Sequence, residues 1–336
     1  MNTDAVFTQS NEAGGNRVIA FHRSVDGELS EPVSVATGGL GDGVPHLTSQ
    51  GSVGLTSDGR LLLVTNAGSD DVTVLTVDGP SVVSRIPSGG SAPKSVAEHE
   101  GLVYVLNTGD RSVTGFRLSV DTLEPLEGSR RELGTQADPA QVGFTPDGST
   151  LVVTDRAANA ILLFAVGADG LLGMPHTVES AGPTPYGFAF AGGNTLVVTE
   201  AFGAQTGKAA ASSYRVDGTR ATAVSRSVGN GRSEICWAVV SKDGRHVFTT
   251  NFADGAVSRY AVSDDGTLEL EDAVAATAVD GEPGLRDEGL SADGRFLYAI
   301  DAEGGRVFGW TVENGKLTAV GSWNGLPRTV AGLAAS

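Results

Sequence analysis

A single cysteine, Cys236, stands in 336 residues, so no internal disulfide can form and the chain fits a reducing compartment, the cytoplasm. Lysine is almost as scarce, at positions 94, 208, 242 and 316 only. No run of 18 apolar residues occurs, and no basic segment backed by an apolar one opens the chain, so neither membrane spanning nor secretion is expected. Basic residues are also few, 23 against 40 acidic ones, for a formal charge of −17. Such a surface repels phosphate backbones and anionic membranes, which removes both from the expected partners. No His, Asp or Glu set has the spacing of a metal site, so no metal and no cofactor is expected.

Glycine is what the chain has in excess, 47 residues, and it recurs within a repeat. The clearest copies are VGLTSDGRLLLVTNAGSDDVTVLTVDG (53–79), VGFTPDGSTLVVTDRAANAILLFAVGADG (142–170) and WAVVSKDGRHVFTTNFADGAVSRYAVSDDG (237–266). Each reads as a short strand, an Asp-Gly turn, an apolar strand ending in Asn or Asp, a polar turn, a third strand and a second Asp-Gly turn. Asp-Gly is the pair that tolerates the positive φ of tight hairpins. The residue closing the second strand can be followed as Asn11, Asn66, Asn107, Asp155, Glu200, Asn251 and Asp301. The gaps are 55, 41, 48, 45, 51 and 50 residues, and one seventh of 336 is 48. A period in the forties with four strands per unit predicts an all-β, seven-bladed β-propeller of four-stranded antiparallel blades.

The tail PRTVAGLAAS (327–336) matches the opening of a repeat, whereas the N-terminus begins in a second-strand pattern, AVFTQSN (5–11). The C-terminal strand is therefore expected to join the N-terminal blade and complete the ring. No linker or composition shift interrupts the repeats, so residues 1–336 read as one domain.

In such a blade the tight Asp-Gly turns fall on one face and the longer, variable connections on the other. Function tends to reside in variable loops on a rigid scaffold, so the second face is the candidate site. Two connections there are long: 38–52, which carries His46, and 201–211. Aligning the starts of the innermost strands gives a ring at the channel mouth: Gly51-Ser52, Lys94-Ser95, Ala140-Gln141, Tyr186-Gly187, Cys236-Trp237, Arg286-Asp287 and Arg328-Thr329, with Arg232 and Glu234 just upstream. Lys94, Arg286, Arg328 and Arg232, with Gln141 and Trp237, are the candidate substrate-binding groups, because cations inside an acidic protein focus an anionic small molecule. The same cations can instead pair with Glu234, Asp287 and Glu288. Among the second-strand termini the Asn and Asp residues suit turn capping, whereas the longer Glu200 is a candidate general base. His46 and Tyr186 are further candidates for proton transfer, and Cys236 reads as a small buried thiol.

The repeats, as in 141–155 and 237–251, and the segment GPTPYGFAF (182–190) leading to Glu200 resemble the lactonase-type seven-bladed propellers, which include bacterial 6-phosphogluconolactonase and a fungal carboxymuconate cyclase. The resemblance covers essentially the whole chain. It implies a glutamate at the end of the second strand, matched by Glu200. The histidine of the family's Pro-His entry is replaced here by Ala140, the arginine of its Gly-Pro-Arg-His entry by Tyr186, and a further arginine by Val239. The expected function is hydrolysis of a small anionic lactone at the channel mouth. The alternatives are a cycloisomerase or other lyase acting on an anionic ring, and a non-catalytic propeller that binds a small molecule or a protein.

Overall fold

The computed structural model describes residues 4–45, 50–278 and 282–336. Its strands form seven antiparallel sheets around one axis. Taken from the axis outward, blade 2 is Val53–Leu55, Leu61–Asn66, Asp71–Thr76 and Val82–Pro87. Blades 4, 5, 6 and 7 repeat this order from Pro139, Pro185, Ile235 and Leu285. Blade 3, opening at Pro93, departs from it. Its outer strand is split into Thr122–Pro125 and Arg131–Glu132, both paired with Ser112–Ser119. In blade 1 the innermost strand is Ala331–Ala335, paired with Ala5–Gln9 through Val6 with Ala335 and Phe7 with Ala334. The Ser336 amide donates to the Ala5 carbonyl at 2.9 Å and Arg23 Nη2 to the Ser336 carbonyl at 3.2 Å, so the expected closure is present.

The turns explain why the motif repeats. In four first hairpins a hydroxyl donates to the aspartate two residues on: Thr56 to Asp58, Thr145 to Asp147, Ser241 to Asp243 and Ser291 to Asp293, at 2.6–2.7 Å. The next residue is a glycine at φ between +68° and +75°, a region a Cβ disfavours. All the partners lie within five residues, so a short sequence word specifies the whole turn.

Core residues gather in the seven spaces between neighbouring blades. Val6, Phe21, Tyr298 and Ile300 fill the space between blades 7 and 1, and Phe7, Val18, Leu62 and Leu75 that between 1 and 2. The remaining five spaces have the same Val, Leu and aromatic composition. Each blade is buried on both faces, which is why its central strands read as nearly continuous apolar runs. Among the described residues no helix is long and apolar enough to cross a membrane.

Candidate active site on the loop face

At the channel mouth the innermost strands open with irregular register, as between Pro139 and Gln141 and between Pro185 and Phe188. Such bulges re-aim side chains, and here they turn several onto the axis. Ala140, Tyr186, Cys236 and Trp237 pack there as one buried cluster with Phe252 against it, and the Tyr186 and Trp237 rings meet edge-on at 5.6 Å. Gln50 reaches across from loop 38–52: its amide donates to Ala140 O at 3.2 Å and its Nε2 to Ala238 O at 3.2 Å. Gln141 clasps blade 4 to blade 5 in the same way, bonding both the carbonyl and the amide of Phe188. Trp237 and Gln141 therefore hold the ring together. Both also line a channel cavity of about 260 Å³ behind Gln50, which Asp287 and Glu288 share.

The expected cations do not converge. Lys94 pairs with Asp42 of loop 38–52 at 2.9 Å. Buried Arg286 donates to the carbonyls of Pro45 and Val330 and lies 3.8 Å from Asp287. Arg328, three-quarters exposed, pairs with Glu303 at 2.9 Å. Arg232 sits beside loop 201–211, its carbonyl accepting from Ala209 N. His46 lies outside the described residues.

Glu200 is wholly buried. Its Oε1 accepts from Gly182 N at 2.8 Å and Ser212 Oγ at 2.6 Å, and its Oε2 from Ser227 Oγ at 2.7 Å. Residue 182 is glycine because any Cβ there would run into this carboxylate. Burial raises the Glu200 pKa, and the three hydrogen bonds act against that rise. Asn66 and Asn251 do similar work, Asn66 tying to Asp71 and Thr73 and Asn251 to Ser258 and Asn230, whereas Asp155 and Asp301 accept from amides of their own turns. Thus Glu200 joins the strands of blade 5 and does not border the space around Tyr186.

That space is a cavity of about 440 Å³ lined by Arg156, Thr184, Tyr186, Ala201, Gly203, Ala204, Glu234, Cys236 and Phe252. It lies off the axis on the loop face, where blades 4, 5 and 6 meet. One wall is the start of loop 201–211, whose Gly203 N donates to Thr184 Oγ1 at 3.0 Å; further along, Gly207 N donates to Ser233 Oγ at 3.0 Å. Three groups give the cavity chemistry. Burial raises the Glu234 pKa, and Asp254 nearby adds to it. Arg156 lies 5.1 Å over the Tyr186 ring and bonds Asp138 at 2.6 Å through Nη2, while its buried Nε makes no hydrogen bond among the described residues. The buried Tyr186 hydroxyl likewise has no partner among them. Burial pushes the Cys236 thiol far up, so it is a wall rather than a nucleophile.

Of the expected site residues that are described, then, only Tyr186 lines this cavity. Sequence reasoning missed Arg156, and took Glu234 for a pairing partner. The signal for Arg156 lay one residue beyond the second-strand termini, where the chain reads Glu12, Ala67, Thr108, Arg156, Ala201, Phe252 and Ala302. Three consecutive members of that series border the cavity.

A family model described as "Lactonase, 7-bladed beta-propeller" matches residues 120–205 and 200–329. Among solved structures, the chain is similar to the periplasmic gluconolactonase PpgL of Pseudomonas aeruginosa, with 17% identity, 97% of each chain covered and a TM-score of 0.74. A protein from Lactobacillus plantarum has 15% identity over the full length of both chains, with a TM-score of 0.75. A putative 6-phosphogluconolactonase from Bacteroides uniformis has 16% identity, covering 98% of this chain and 99% of its own, with a TM-score of 0.71. At these identities the structural likeness carries the fold.

Proposed function

From the premise that this chain belongs to the lactonase family of seven-bladed β-propellers, we propose that it hydrolyses a small lactone in the loop-face cavity between blades 4, 5 and 6. The observation that carries the reading is the convergence of Glu234, Arg156 and Tyr186 on one largely apolar cavity, the arrangement expected of a small-molecule site. In this mechanism Glu234 takes a proton from water as the water oxygen attacks the lactone carbonyl. Its raised pKa brings it nearer the operating pH of a general base. The Arg156 guanidinium, at the cavity wall, stabilises the oxyanion of the tetrahedral intermediate, with the Tyr186 ring beneath it. The ring C–O bond then breaks, the ring oxygen takes the proton back from Glu234, and a hydroxy acid leaves. The free, buried Cys236 suits the cytoplasmic setting that is part of this proposal.

A second reading, a propeller that binds a small molecule without turning it over, is favoured by one observation: the mouth is filled by Trp237 and crossed by Gln50, with Lys94 and Arg328 tied into ion pairs. Glu234→Gln separates the two. For the hydrolase, kcat on the best lactone falls about 100-fold or more while KM changes little, in line with loss of a general base. A lactone that binds and is never hydrolysed by the wild-type protein selects the second reading.

A further inference from the structure

The cavity also constrains the charge of its ligand. Among the described residues Arg156 is the only cationic side chain that lines it, and that guanidinium already bonds Asp138 at 2.6 Å. On the acidic side stand Glu234, itself lining the cavity, and Asp254, whose carboxylate holds Ser233 N at 2.5 Å and raises the Glu234 pKa. Counting Arg156 against Asp138, Glu234 and Asp254, the surroundings are net acidic, within a chain of charge −17. Of the cations read from the sequence as anion-binding groups, three are engaged elsewhere, Lys94 by Asp42, Arg328 by Glu303 and Arg286 by two backbone carbonyls, and Arg232 stands beside loop 201–211 outside the cavity lining. The walls are Tyr186, Ala201, Ala204, Cys236 and Phe252. A phosphorylated or carboxylated ring placed there would face like charge and lose its water to apolar side chains, with no unengaged cation among the described lining residues to replace that water.

We infer that the substrate class is an uncharged lactone with an apolar substituent, an alkyl or aryl group resting on Tyr186 and Phe252, rather than an anionic sugar lactone. This rests on the hydrolase reading above and narrows it. Arg156, held by Asp138 and stacked over Tyr186, then meets charge only as the oxyanion develops, which is where a stabilising group accelerates the reaction.

The test compares kcat/KM of the full-length protein on δ-decalactone, dihydrocoumarin, glucono-δ-lactone and its 6-phosphate. The two apolar lactones are expected to exceed the phosphorylated one by about 100-fold or more. Ala204→Lys, at an exposed position on the cavity rim, is expected to narrow that gap by about 10-fold by supplying a cation. Equal rates, or a preference for the phosphorylated lactone, overturn the inference and leave the hydrolase reading standing. Failure to hydrolyse any of the four overturns both. A gap that Ala204→Lys does not move overturns the assignment of selectivity to this cavity.

Discussion

Glu200 offers a sharp test, because its sequence position suggests a catalyst and its surroundings a strut. Replacing it with alanine leaves the Gly182 amide and the Ser212 and Ser227 hydroxyls without their acceptor in a buried place. An orphaned buried donor costs about 1–3 kcal/mol. Ser212 Oγ still accepts from Ser227 N at 2.7 Å, which softens part of the loss. Allowing also for the space left behind, Glu200→Ala should cost about 3–5 kcal/mol. At roughly 2.1 cal/mol/K per residue, 336 residues give an unfolding entropy near 0.7 kcal/mol/K, so Tm should drop by about 4–7 °C.

Glu200→Gln behaves differently. Its amide oxygen can accept from Gly182 N and Ser212, and its NH₂ can donate to Ser227, so stability should stay within about 1 kcal/mol at low pH. The pH dependence then carries a sign. Burial raises the Glu200 pKa above its ordinary value of 4.5, so the folded state holds the proton more tightly than the unfolded one. Wild-type stability consequently falls as pH rises from about 4.5 through the folded pKa, whereas the glutamine variant lacks this loss. The variant should gain on the wild type between pH 4 and pH 7, as read by urea denaturation at each pH. Lactone hydrolysis by Glu200→Gln should remain within about 3-fold of wild type. A loss of 100-fold or more with unchanged Tm would refute the strut and restore Glu200 as a catalyst.

Asp254→Asn removes a negative charge that raises the Glu234 pKa, so the acidic limb of the kcat/KM–pH profile should move to lower pH; a limb that stays in place separates Glu234 from the rate. Tyr186→Phe deletes a buried hydroxyl that has no partner among the described residues, so Tm should rise by about 1–2 °C while kcat on a lactone stays within about 3-fold. A fall of about 100-fold or more in kcat with unchanged Tm would show that the hydroxyl reaches the substrate. Asp243→Ala, on the hairpin face, removes the acceptor of Ser241 Oγ and Arg245 N and should cost about 1 kcal/mol with hydrolysis unaffected. The Ser241 hydroxyl holds the Asp243 pKa below its ordinary value, so this turn stabilises the wild type above the carboxylate range and loses that contribution as pH falls. The Asp243→Ala deficit measured at pH 7 should therefore shrink on acidification.

The architecture was legible because its determinants are local. Thr56, Asp58 and Gly59 define a hairpin within a few residues, and the same word recurs at 145–148, 241–244 and 291–294. The split outer strand of blade 3 was not legible, since it turns on Ser129 reaching back 14 residues to the backbone of Gly115. The network around Glu200 was not legible for a related reason: its extra length reaches Gly182 and Ser227, partners 18 and 27 residues away. The cavity was least legible, because no repeat-level pattern says which loop residues from three blades will meet. Gln50 and Ala238, 188 residues apart, touch only because the ring closes.

The packing at the axis bears on where a ligand can enter. Innermost strands bring one residue per blade to the same height, so a propeller mouth must be lined with polar groups and water or packed shut. Where the resemblance places a histidine and an arginine, this chain has Ala140 and Tyr186. Alanine leaves room, Tyr186 turns its ring edge to Trp237, and Cys236 completes an apolar plug that Gln50 bolts across. Beside this plug an off-axis cavity is open, where Arg156, Ala201 and Phe252 begin successive loops. Two small residues and one arginine open that corner, while Thr184 and Glu234 close it from the inner-strand entries. The plug and the off-axis cavity are structurally coupled, since Tyr186 and Cys236 are at once part of the plug and part of the cavity wall, and a substitution at either alters both.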